Sequence, residues 1–162
     1  MELNNRKVIQ SFRGDTKVKG SVIDKLIDSF KDVNGAKKES WYLLFIYRRS
    51  IINEIAALSD NEDVFKGANT VIVVFSKKGG VSNIIDTSFA IKNMIDVAVE
   101  NGLDAYFSTD IASVFNDPAY ENLAEVCGVK KGYVCIGSVS VGYALDYKLE
   151  DKFSGDVFSI IL

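Results

Sequence analysis

The sequence predicts a domain of layered α/β architecture, in which strands and helices alternate. Two continuous apolar stretches, residues 41–47 and 70–75, have the composition of strands covered on both faces. Segments with apolar residues at helical spacing lie around and between them. No internal repeat, linker or change of composition interrupts the 162 residues, so we expect one domain over residues 1–162.

The first half predicts two helices, a strand and a third helix. Val8, Ile9 and Phe12 would share one side of a short helix over 5–12. Ser21 is a good cap for a second helix, and Asn34-Gly35 would end it. The 41–47 strand follows, and helical spacing returns over 50–58.

The second half predicts a central helix followed by short elements. Residues 83–101 form the longest helix, with apolar residues on more than one stripe, which predicts cover by a second subunit. A short strand is expected at 103–107, then a helix from Asp117 to about Cys127, and a strand at 133–143.

The last segment, 157–162, is an apolar strand that must pair with a sheet edge. It would pair within its own subunit or be donated to a partner, and we favour donation. The polar stretch at 146–155 is long enough to cross the surface that separates it from the sheet.

Charge and composition exclude several classes of protein. Lys and Arg number 19 against 22 Asp and Glu, a net charge of −3, which argues against nucleic-acid binding. Histidine is absent, which removes Ser-His-Asp and Cys-His triads and His-ligated zinc. Cys127 and Cys135 have no zinc-site spacing, so we expect no metal and two thiols kept reduced in the cytoplasm. Neither a signal peptide nor an apolar run of membrane-spanning length is present, so no membrane partner is expected.

Several segments, taken in order, resemble the FMN-dependent nitroreductase family. Residues 6–12 read RKVIQSF, against an opening family pattern of R-R-S-x-R-x-F. Residues 86–103 resemble the central dimer helix, with D-x-x-x-A-x-x-N-M and a closing G-L. Gly142-Tyr143-Ala144 resembles the closing G-Y-P, so the likeness spans essentially the whole chain.

The resemblance implies an α+β fold with three α/β/α layers and a mixed, mainly antiparallel sheet, its terminal strand donated within a homodimer. It also implies FMN as cofactor, NAD(P)H as hydride donor and a nitroaromatic or quinone acceptor. The flavin carries out hydride transfer, so the missing histidine is no obstacle.

The resemblance further implies the residues that hold the flavin. The phosphate and ribityl chain would contact Arg6, Lys7, Gln10, Lys148 and Lys152. The partner-subunit loop would supply Lys38 and Ser40, and Asn61 would face the pyrimidine edge. Thr109 and Asp110 stand for the loop over flavin N5, where a backbone N–H suffices.

Other interpretations stay open. Arg6, Lys7, Lys148 and Lys152 are also typical of solvated surface, Asn61 of a turn, and Thr109-Asp110 of a helix cap. Val8, Gln10, Glu39 and Ser40 depart from the family pattern. The alternative function is therefore a dimer that kept the scaffold, lost catalysis, and acts as a ligand-binding or interaction protein.

Overall fold

Strands and helices alternate along the chain in a computed structural model that describes residues 5–31, 39–120 and 122–151. The strands are β1 (Asn5–Phe12), β2 (Trp41–Ile46), β3 (Thr70–Lys77), β4 (Asp104–Ser108), β5 (Tyr133–Gly142) and β6 (Ala144–Asp151). The helices are α1 (Gly20–Lys31), α2 (Arg49–Ala57), α3 (Val81–Glu100), α4 (Ile111–Phe115) and α5 (Leu123–Val126), with a 3-10 turn at Pro118–Tyr120.

A four-stranded sheet with the order β2-β3-β5-β4 forms the middle layer. Side chains of β3 alternate between its faces, so that Val71 and Val73 pack with α2 and α4, while Ile72 and Val74 pack with α1 and α3. Because helices cover both faces, β3 is apolar at nearly every position. The predicted α+β fold of three layers is confirmed. All strand pairs among the described residues are antiparallel, so the expected parallel pair of a mixed sheet is not seen there.

The helix predicted over 5–12 is wrong, because these residues form β1. This strand pairs antiparallel with β6 in a separate two-stranded ribbon, where Arg6 lies opposite Glu150. Val8, Ile9 and Phe12 fit a helical spacing, but eight residues are too few for that spacing to exclude a strand. The pairing partner lies at the other end of the chain, so the local sequence does not reveal it.

The ribbon also corrects the polar connection predicted at 146–155, since 146–151 belong to β6. Apolar residues at 145, 147 and 149 alternate with charged ones at 146, 148 and 150, which is a strand pattern with one charged face.

The single helix predicted from Asp117 to Cys127 is wrong too, because its described part holds the 3-10 turn and α5. The strand predicted at 157–162 and the helix end predicted at Asn34-Gly35 lie outside the described residues.

Two contacts fix the ribbon to the rest of the protein. The Asp104 carboxylate accepts hydrogen bonds from the Ala144 backbone N–H at 2.8 Å and from the Tyr147 hydroxyl at 2.7 Å. At the same end of the ribbon, where Phe12 lies opposite Ala144, the Phe12 N–H donates to the Lys66 carbonyl at 2.8 Å. The charged face of β6 is therefore held in a defined position relative to the sheet.

Candidate functional site

The charged face of the ribbon brings together Arg6, Lys148 and Glu150. Directly opposed residues of an antiparallel pair share a face, and β1 places Arg6 opposite Glu150 and Val8 opposite Lys148. Arg6 Nη2 lies 3.0 Å from Glu150 Oε2, and Lys148 Nζ lies 3.7 Å from Glu150 Oε1. The Arg6 and Lys148 side chains are 65% and 64% exposed, so both cations are accessible to a ligand.

Lys7 lies on the opposite face of the ribbon from Arg6, because successive strand residues alternate. Its Nζ atom stands 4.6 Å from the centroid of the Tyr147 ring, a cation–π contact. The hydrogen bond that the Tyr147 hydroxyl donates to Asp104 raises the pKa of Tyr147 above its ordinary value. Arg6 and Lys7, the adjacent cations that the resemblance implies as phosphate ligands, therefore do not share a face.

The remaining predicted phosphate and loop residues are dispersed. Gln10 lies at an irregular point of the β1–β6 register, and its Nε2 donates to the carbonyl of Val8 at 3.4 Å. Ser40 is buried just before β2, where its carbonyl accepts from the Lys77 N–H at 2.9 Å. Lys38 and Lys152 lie outside the described residues.

Asn61 and Asp110, far apart in sequence, meet at a second group. The Asn61 Nδ2 atom donates to Asp110 Oδ2 at 2.8 Å, while its Oδ1 accepts from the Asp63 N–H at 3.1 Å. Asp110 precedes α4, and its own N–H donates to Ser108 Oγ at 3.1 Å. Thr109 is exposed beside it. The tertiary structure thus unites two loops that the resemblance assigns to one cofactor.

Lys66 is a cation of this second group that the sequence analysis missed. Its Nζ lies 2.7 Å from Asp63 Oδ2 and 5.6 Å from the centroid of the Tyr106 ring. The hydrogen bond to Asp63 raises the pKa of Lys66, so the ammonium stays charged. In the sequence, Lys66 follows Asp63 by three residues, a spacing that indicates an ion pair. Such pairs are common on protein surfaces, so this spacing did not single out Lys66.

A sequence model of the nitroreductase family matches residues 9–143. This chain belongs to the nitroreductase family. The match covers the four-stranded sheet, α1 to α5 and the second half of β1, so the family assignment made from motif order is confirmed. No curated protein sequence matches this nitroreductase-family chain.

Solved structures of nitroreductases share its fold at low identity. A nitroreductase with bound FMN from Bacteroides fragilis has a TM-score of 0.77 at 14% identity, covering 95% of this chain and 92% of that chain. An FMN-dependent nitroreductase from Clostridium difficile has a TM-score of 0.78 at 13% identity, covering 98% and 96%. A nitroreductase with bound FMN from Desulfitobacterium hafniense has a TM-score of 0.77 at 14% identity, covering 99% and 96%.

Two further features of this family member concern its helices and thiols. Among residues 5–31, 39–120 and 122–151, no helix combines the length and apolarity needed to cross a bilayer. Cys127 is half-buried and Cys135 is buried, and both are free thiols.

Proposed function

We propose that this protein is an FMN-dependent oxidoreductase that oxidises NADH or NADPH and reduces a small nitroaromatic or quinone. The observation that carries the proposal is the pair of accessible cations, Arg6 and Lys148, on one face of a ribbon within a nitroreductase-family chain. The FMN-bound neighbours of the same fold support it. The two free thiols favour the cytoplasm as the compartment.

The donor set fits the chemical groups of FMN. A phosphate is bound by cations with several N–H donors, and Arg6 offers a guanidinium beside the Lys148 ammonium. Phe12, at the end of β1, is hydrogen-bonded to the loop that contains Lys66. At the usual rise of a strand, Arg6 lies roughly 20 Å from Phe12 along β1. An extended ligand with an anionic end and a polar aromatic end suits this separation.

In this proposal the ribbon holds the phosphate, with Lys152 and Gln10 adding donors. Asn61 would face the pyrimidine edge of the flavin, and a backbone N–H of the Thr109-Asp110 loop would serve flavin N5. Asp110 fixes the Asn61 amide through its hydrogen bond, so the amide is oriented before any ligand binds. Bound FMN would supply the hydride chemistry that these side chains lack.

We propose a homodimer, because α3 leaves a second apolar stripe exposed. Its buried face packs on the sheet, whereas the outer face carries large exposed side chains, Val81, Ile84, Ile85, Phe89 and Val99. A second copy would cover this stripe. Lys38 and Ser40 would then belong to the partner's loop, and 157–162 to the donated strand. Sedimentation analysis should show a dimer, and deletion of 157–162 should weaken it or the fold.

The absorption spectrum of the purified protein tests the proposal most directly. We expect flavin bands in the protein as isolated or after addition of FMN, and NAD(P)H oxidation above the rate of free flavin. Arg6→Ala should weaken FMN binding without changing the dimer, whereas Lys31→Ala, which removes a cation from an exposed pair in α1, should change neither. Colourless protein that takes up no FMN would contradict the proposal.

The scaffold function without catalysis is the second candidate. Two observations favour it. Glu150 already forms an ion pair with Arg6. Val8 and Gln10 stand at positions where the family pattern has serine and arginine. A quinone or nitroaromatic assay with NAD(P)H and added FMN separates the two functions. Turnover above that of free flavin would exclude the scaffold function.

A further inference from the structure

We propose that Glu150 competes with the flavin phosphate for Arg6 and Lys148, and so reduces the preference of this protein for FMN over riboflavin. The inference rests on the proposed function and deepens it, because it assigns a specificity-determining residue to the same site. Glu150 was not among the residues that the sequence singled out.

The geometry of the ribbon places the carboxylate between the two cations. Glu150 lies opposite Arg6 in the register, and Lys148 lies two residues away on the same strand, so all three share one face. One carboxylate oxygen faces Arg6 Nη2 at 3.0 Å, and the other faces Lys148 Nζ at 3.7 Å. Its side chain is 32% exposed, about half the exposure of either cation, so it lies deeper in the face than they do.

The charge balance of this face explains the competition. Arg6, Lys148 and the one carboxylate that contacts both carry a single net positive charge, whereas a phosphate carries nearly two negative charges at neutral pH. A phosphate that approaches Arg6 must displace Glu150 or stay beside it, and either outcome opposes binding. Riboflavin has the same ring and ribityl chain but no phosphate, so Glu150 does not oppose it in this way.

The test compares the Glu150→Gln variant with the unchanged protein. This substitution removes the negative charge of the side chain and keeps its shape. Protein is titrated into FMN and, separately, into riboflavin at low ionic strength, and flavin fluorescence reports the dissociation constants. We expect FMN to bind roughly 3- to 10-fold more tightly to Glu150→Gln, the effect of one nearby exposed charge, and riboflavin to change by less than about 2-fold.

Two further variants serve as controls. Glu125 lies in α5, and its carboxylate pairs with the Lys131 ammonium at 3.5 Å. Glu125→Gln removes that carboxylate and should leave the affinities for FMN and for riboflavin unchanged. The gain from Glu150→Gln should shrink when Arg6 is also replaced by Ala, because the carboxylate acts through that cation. Circular dichroism checks that each variant is folded.

Each outcome decides the inference. A raised FMN-to-riboflavin affinity ratio in Glu150→Gln alone supports it, as does FMN binding that appears only in that variant. An unchanged or lowered ratio overturns it while leaving the proposed function intact, provided that FMN binds. Failure of every variant to bind either flavin overturns the inference together with the proposed function.

Discussion

Gly137 in β5 lies where the sheet leaves no room for a side chain. Its φ angle is +155°, and a Cβ added there would stand 2.4 Å from the Ser108 carbonyl oxygen and 3.0 Å from the Phe107 ring. The ring is partly exposed and can move, but the carbonyl belongs to β4, which pairs with β5 through Ser108 and Ser138. Gly137→Ala must therefore push β5 away from the end of β4, just before the Thr109-Asp110 loop.

Two terms contribute to the expected loss of stability. Overpacking costs about 1–3 kcal/mol, and an unfavourable backbone conformation costs about 1–3 kcal/mol. We expect Gly137→Ala to lower the free energy of unfolding by about 2–6 kcal/mol. For a domain of this size, that corresponds to a fall in Tm of roughly 4–24 °C.

Gly132→Ala is the matched control, because Gly132 also has a positive φ, +90°, but no atom within 4 Å of the added Cβ. It should show the backbone term alone. Urea unfolding followed by circular dichroism, at one protein concentration because a dimer is expected, measures both variants. If Gly137→Ala is no less stable than Gly132→Ala, the steric argument is refuted.

Three other predictions concern the core, a buried thiol and the ribbon. Met94 is fully buried between α3 and the sheet, so Met94→Ala should lower the free energy of unfolding by about 2–5 kcal/mol in urea. Burial raises the pKa of the Cys135 thiol to about 12, whereas the thiol of the unfolded chain titrates near its ordinary value. Stability should therefore fall as the pH rises from about 9 toward 12, and less so in Cys135→Ala, as urea unfolding across that range would show. In Asp104→Asn, the pKa of Tyr147 should return toward its ordinary value, because the carboxylate that raises it is gone; a spectroscopic titration compared with Tyr147→Phe measures this.

Amphipathic and apolar patterns predicted most of the four-stranded sheet and of the helices that cover it. β2 and β3 were recognisable because strands covered on both faces are apolar at nearly every position, and α3 because its length and period exclude a strand. The order of weak motifs indicated the family, which the match over 9–143 confirmed. These features are local, or they depend only on the order of segments along the chain.

The tertiary structure alone decided which candidate residues meet. β1 is a strand because β6, from the far end of the chain, supplies its hydrogen bonds, and the resulting alternation places Arg6 with Lys148 but turns Lys7 away. Asn61 likewise meets Asp110 only because folding brings two distant loops together. Residue types and their period determine layers and elements, whereas the face and neighbours of each side chain depend on partners that are remote in sequence.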